Sequence, residues 1–342
     1  MKKVVCFGEI MMRLNPKSYL RFLQAVEFEA SYAGGEANVA VSLAQLGVNA
    51  AYITKVPAHE IGQAAINELR RFGVDTSGVL RGGERLGIYF VEKGASQRAS
   101  KVIYDRAYSS IMEARSGDFD WEAILKGADW FHFTGITPAL SGGCAQLCKE
   151  ALTAAEKLGV PVSCDLNYRK KLWSREKAGQ IMGELMPKVK VCIANEEDAA
   201  DVFGIRAADT DINSGALSHE GYVSVAKQLT ERFGFQKTAI TLRGSISASD
   251  NNWSGMLYDG KSGAACFAPN YPVRIVDRVG GGDSFGAALI YSQLEGWDDQ
   301  RAVNFAVAAS CLKHTIEHDF NIASLAEIEA LAGGNASGRV QR

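Results

Sequence analysis

A chain of 342 residues can bury one large core, or one core with a small appendage, because single cores stop growing near roughly 250 to 300 residues. Its 37 basic and 39 acidic residues leave a formal net charge of -2, and no Lys/Arg run forms the basic stripe of a nucleic-acid binder, so a polyanionic polymer is excluded as a partner. No window nears the roughly 18 consecutive apolar residues of a membrane span, and seven cysteines, odd in number and scattered, suit a reducing cytoplasm.

The N-terminal stretch MKKVVCFGEIMMRLNP superficially resembles a signal peptide. Glu9 and Arg13 interrupt its apolar run and no small-residue cleavage pattern follows, so it reads as a first buried strand. Further strand candidates are AAYITKV, DWFHFTG, VPVSCDL, VKVCIAN and KTAITLR, and between them lie amphipathic windows at Ile61 to Phe72, Ala145 to Leu158 and Tyr222 to Phe233. This alternation predicts βαβ units: an α/β class, doubly wound, with a mostly parallel sheet flanked by helices. Residues Met11 to Tyr32 and Leu86 to Tyr108 break the pattern and predict a small antiparallel sheet that projects as a lid. After Gly244 come short strands and turns, then a helical part from Ser284 to Thr315. One domain over 1–332 is expected, with lid segments at about 11–32 and 86–108 and a disordered tail at 333–342. Cys144 and Cys148 lie one helical turn apart, and His314 and His318 stand at i,i+4. Neither pair has a third ligand at zinc spacing, and the histidines are expected at the surface or as caps.

The stretch DRVGGGDSFGAAL sets Gly280, Gly281 and Gly282 before Asp283 where a helix begins. Glycines let the backbone pass close to a ligand, and first-turn amides with the helix dipole attract anionic oxygen. A carboxylate in the same turn would repel phosphate, so its use is chemical: it accepts a proton from a substrate hydroxyl as that oxygen attacks a phosphoryl group. No GxxxxGK[ST] P-loop occurs, and no GxGxxG fingerprint follows the first strand, which counts against an NAD-dependent dehydrogenase.

DRVGGGDSFGAAL resembles the C-terminal signature of the ribokinase-like (PfkB) carbohydrate kinases, D-x-x-G-A-G-D-x-F. The early YAGGEANVAVSLAQLG is similar to their second signature. The resemblance implies ATP and Mg2+, with room for a monovalent cation. It assigns Asp283 as base and Gly280, Gly281 and Gly282 as anion hole, with Gly34, Gly35 and Asn38 on sugar hydroxyls. The run DLNYRKKLW resembles the family's D-x-N-x-R element, placing Asp165, Asn167 and Arg169 on one side of a continuing strand, with Arg169 reaching the substrate or its phosphate. The family's N-x-x-E element, which organises Mg2+ through water, falls at Asn195; the fourth position here is Asp198, so the metal role passes to Asp198 through water or to Glu197. Nucleotide contacts implied by the resemblance are Asn195, Thr241, Arg243, Gly244, Gly282 and Asn304, the last on a helix whose Ala306 to Ala309 would border adenine.

In the lid, Tyr89, Tyr104 and Arg106 would alternate inward. Phenols suit hydroxyls, and a guanidinium suits a carboxylate in fork geometry. Within the family, YDRAYSS, TLRGSISASDNNWSG and CLKHTIEHDFNIASLAEIE resemble the 2-keto-3-deoxygluconate kinases, which selects a sugar acid phosphorylated at O6. A fructokinase or other neutral-sugar kinase is the nearest rival, and a non-catalytic sugar-binding protein is opposed by the intact Asp283. A homo-oligomer, at least a dimer, is expected because exposed lid edges seek partners.

Overall fold

The structure is a computed structural model that describes residues 1–207 and 218–335; the end of the tail expected to be disordered, residues 336–342, lies outside them. From the N-terminus run β1 (Lys3–Phe7), β2 (Met11–Asn15), β3 (Glu29–Ala33), α1 (Gly35–Gln45), β4 (Asn49–Ile53), β5 (Lys55–Val56), α2 (Glu60–Arg71) and β6 (Leu80–Arg81). Then follow β7 (Gly87–Glu92), β8 (Lys101–Asp105), α3 (Trp121–Leu125), β9 (Trp130–Thr134), α4 (Ile136–Leu140), α5 (Gly142–Leu158), β10 (Val162–Asp165) and α6 (Arg175–Leu185). The last third holds β11 (Val191–Ala194), α7 (Glu196–Phe203), α8 (His219–Phe233), β12 (Lys237–Ser245), β13 (Asp250–Asp259), β14 (Ala265–Phe267), β15 (Tyr271–Arg274), α9 (Gly281–Leu294), α10 (Asp299–Lys313) and α11 (Leu325–Ala332).

Nine strands form the main sheet in the order β14-β13-β12-β11-β10-β9-β1-β4, with β15 also on β13. It is parallel from β4 to β12 and antiparallel beyond. Strand β1 shows why its residues read as one apolar run: Val4 and Cys6 enter one core with Ala37, Phe285 and Val307, while Val5 and Phe7 enter the other with Leu147, Met182 and Val225. A strand covered on both faces has no polar side to alternate with. Helix α9 is apolar nearly all round, as a helix packed on several sides must be.

Strands β3-β2-β7-β8 form the lid. The expectation of an antiparallel sheet is corrected at its centre, where β2 and β7 run parallel, Arg13 opposite Tyr89. The chain leaves β2, returns through β3 and makes a full excursion through α1, β4 and α2 before it re-enters the lid in the original direction. No described helix is long and apolar enough to cross a membrane. The C-terminal ends of β9, β10, β11 and β12 open onto one edge, where open parallel sheets bind ligands.

Candidate active site

Two glycines of the motif, Gly280 and Gly281, are required by close approach. Gly280 has φ +86°, and a Cβ there would stand 2.0 Å from the Asp319 carbonyl oxygen. At Gly281 a Cβ would sit 2.5 Å from His314 Cε1, whereas nothing lies within 4 Å at Gly282. Helix α9 begins at Gly281 rather than at Ser284, so the amides of Gly281, Gly282 and Asp283 belong to its first turn and have no partner within the helix.

Asp283 meets the other signature across the sheet. Its Oδ2 accepts a hydrogen bond from Asn38 Nδ2 at 2.6 Å, and Asn38 Oδ1 accepts from the Gly34 amide at 3.4 Å. Asn38 lies inside α1, so its side chain holds the carboxylate from a rigid element. Gly35 keeps the space beside Asp283 open, a Cβ there standing 3.6 Å from Oδ1, and at Gly34 a Cβ would collide with the Glu9 carbonyl at 1.9 Å. Burial pushes the Asp283 carboxyl up to about 7 against the Asn38 hydrogen bond, with Asp319 and Glu36 adding to the rise and Arg169 opposing it. A carboxylate poised there is a competent general base near neutral pH.

Beside this turn opens a cleft of about 630 Å³. It gathers Asp165, Asn167 and Arg169 with Asn195, Glu197, Asp198, Thr241 and Arg243 around Gly280 to Asp283. The first three come together differently from expectation: β10 ends at Asp165, and Asn167 turns the chain at φ +37° instead of extending the strand. Asn195 caps α7, accepting from the Asp198 amide at 2.8 Å, and Asp198 Oδ1 accepts from the Tyr168 amide at 3.0 Å. Burial, then Asp198 and Asp283, push Asp165 well above the ordinary carboxyl range, and burial takes Asp198 to about 6. Among the residues of this cleft that sequence reasoning missed are Trp253, Arg278 and His314. His314 is buried rather than at the surface; its Nδ1 donates to the Ser310 carbonyl at 2.6 Å and its ring packs on Gly281.

Other predicted residues stand apart from the cleft. Gly244 lies between two of its lining residues in β12, and Asn304 accepts from Gln300 at 2.9 Å on α10, next to a fully buried Ala306. Tyr89 and Tyr104 face each other across the lid with rings 6.1 Å apart, and Tyr89 donates to Asp319 Oδ2 at 2.8 Å. Arg106 is buried and paired with Glu9, which also accepts from Ser109 Oγ at 2.5 Å. Two further buried groups carried no signal in the sequence because their partners are remote. Arg13 bonds Asp277 at 2.5 Å and Asp319 at 2.6 Å, and Glu36 accepts from Thr134 Oγ1 at 2.8 Å and Thr137 Oγ1 at 2.5 Å.

Comparison with known proteins places this arrangement. Residues 1–317 match the pfkB family carbohydrate kinase. The chain is 33% identical over 335 residues to a 2-dehydro-3-deoxygalactonokinase of Haloferax volcanii, covering 98% of each chain. It is 51% identical to the crystal structure of a 2-dehydro-3-deoxygluconokinase from Thermotoga maritima, with a TM-score of 0.93 over 97% of this chain and 98% of the other. A PfkB family carbohydrate kinase from Listeria grayi is 36% identical, with a TM-score of 0.90 over 97% of this chain and all of the other. With its glycine turn, its paired signatures and a lid on a doubly wound sheet, the chain is a kinase of ribokinase-like fold that belongs to the pfkB family of carbohydrate kinases.

Proposed function

We propose that the protein transfers the γ-phosphoryl group of ATP to O6 of 2-dehydro-3-deoxygluconate or its galacto epimer, with Asp283 as the base. The observation that carries this reading is a carboxylate pushed up to about 7 in the first turn of a glycine-started helix and held by Asn38. The sugar hydroxyl gives its proton to Asp283 as its oxygen bonds to the γ-phosphorus, the bond from phosphorus to the β–γ bridging oxygen breaks, and ADP leaves. The amides of Gly281 and Gly282, with Arg243 and Arg278 on the cleft wall, face the charge on the transferring oxygens.

Among the described residues no three His, Cys, Asp or Glu side chains stand close enough to hold a metal directly. The cleft nevertheless concentrates Asp165, Asp198 and Asp283, each pushed upward by burial against the opposing charge of Arg169. That donor set fits Mg2+ kept on water and phosphate oxygens, with Asp198 and Asn195 holding its waters. When bound, the ion neutralises phosphate charge.

The acid end of the sugar falls to Arg169, which lines the cleft and has no ion pair among the described residues, whereas Arg106 is engaged by Glu9. That engagement favours the rival reading, a neutral-sugar kinase. An ADP-release assay with 2-dehydro-3-deoxygluconate, its galacto epimer, fructose, ribose and no sugar decides between them; faster turnover on fructose than on either acid rejects the proposal. Arg169→Ala is expected to raise KM for the acid roughly tenfold or more, and KM for fructose little, because a charge-assisted bond contributes about 1.5 to 3 kcal/mol. Equal changes would remove the carboxylate contact.

Self-association through the lid is supported by Leu23 and Val26, which are 96% and 97% exposed on the β2–β3 connection, near the half-exposed Tyr19. Light scattering is expected to give at least twice the 36.8 kDa chain mass, reduced to one chain by Leu23→Asp with Val26→Asp. A monomeric native protein refutes this.

A further inference from the structure

Lys313, the last residue of α10, is fully buried, yet among the described residues no carboxylate lies within ion-pair distance of its ammonium. The two nearest acids, Asp277 and Asp319, are turned to Arg13. Lys313 Nζ donates instead to main-chain carbonyls, that of Asp277 at 3.3 Å and that of Ile316 at 3.1 Å. Both carbonyls belong to the segments that shape the glycine turn. Asp277 opens the run into Gly280, and the segment from Ile316 leads to Asp319, whose carbonyl abuts Gly280. The lysine stem itself passes 3.2 Å from the place a Cβ would take at Gly280. Burying an ammonium without a carboxylate is costly, and a methionine of similar length would fill the space without that cost. Its charge is therefore what the site uses.

Resting on the phosphotransfer reading above, we propose that Lys313 is a positioning residue whose ammonium is a fixed cation behind the glycine turn, drawing two carbonyls together so that the Gly281 and Gly282 amides keep their place beside Asp283. A lone carbonyl pair of this kind would otherwise take a soluble monovalent ion. The chain supplies its own, so turnover needs none.

The test measures kcat and KM of the native protein, of Lys313→Met and of Lys313→Ala, with ATP and 2-dehydro-3-deoxygluconate, in tetramethylammonium chloride. Potassium, ammonium or methylammonium then replaces it at constant ionic strength. Native turnover is expected to stay within about twofold across the salts, and Lys313→Met to lose at least about tenfold in kcat with the sugar KM little changed, as a displaced anion hole implies. In Lys313→Ala, which leaves the place of the ammonium empty, ammonium or potassium should restore kcat severalfold, and tetramethylammonium, too large to enter, should not. A Lys313→Met variant as active as the native protein, a loss in Lys313→Ala that no small cation restores, or a native enzyme that requires added potassium or ammonium would each overturn the proposal. Should Lys313→Met fail to fold, the native salt series decides alone. A native protein silent on every sugar in every salt would instead overturn the phosphotransfer reading itself.

Discussion

Asp283→Asn is expected to lower kcat at least about a hundredfold while both KM values stay near native, because the change removes the proton acceptor and almost nothing of its shape. The Asn38 amide can still donate to the remaining carbonyl oxygen, so the site keeps its geometry. The pH profile sharpens the test. With the Asp283 carboxyl at about 7 in the free enzyme, native kcat/KM should rise through that pH and level off above it, and the residual activity of Asp283→Asn should lack the step. Stability should move the other way. A carboxyl raised on folding contributes stability that is complete below its unfolded value near 3.8 and is lost as pH climbs through about 7. Asp283→Asn should therefore raise Tm at pH 8 relative to the native protein, with the gap closing toward pH 4. Near-native turnover, or a lower Tm at pH 8, would remove Asp283 from the role of base.

Arg13→Met is expected to destabilise the fold by about 3 to 5 kcal/mol, the scale for removing one partner from a buried ionic group. Arg13 is 0% exposed and bridges Asp277 and Asp319, themselves 3% exposed, so the change strands two carboxylates in the core. Burial pushes the guanidinium down, and the two acids outweigh it and raise it above its ordinary value. Adding Asp277→Asn and Asp319→Asn to Arg13→Met should recover much of the loss, since an uncharged trio leaves no ion unpaired. Turnover should fall as well, because the Asp319 carbonyl abuts Gly280 and Tyr89 reaches the same acid from the lid. Urea unfolding of the single and triple variants checks this, and a single-variant loss below about 1 kcal/mol would show that the cluster is not a structural hub.

The sheet was legible because its signal is local. Strand β1 and its neighbours are buried on both faces and read as unbroken apolar runs, while the windows that became α2, α5 and α8 carry helical periodicity. The glycines and Asp283 were legible for the same reason: amides and carboxylate share one helical turn, so their chemistry is written in consecutive positions. Departures began where local rules conflict with tertiary demands. Asn167 adopts a left-handed conformation that ends the strand, and the lid's central pair runs parallel because of the path the chain takes between β2 and β7.

The order of residues by itself determined a doubly wound kinase scaffold and set a carboxylate, Asp283, beside the first-turn amides of one helix. Only the folded chain decided which remote groups meet: Asn38 with Asp283, Arg106 with Glu9, Arg13 with two acids, and Lys313 with two carbonyls. Periodicity and turn chemistry act over a few residues, whereas a buried charge finds its partner through the long-range return of the chain, and nothing in a single stretch names that partner in advance.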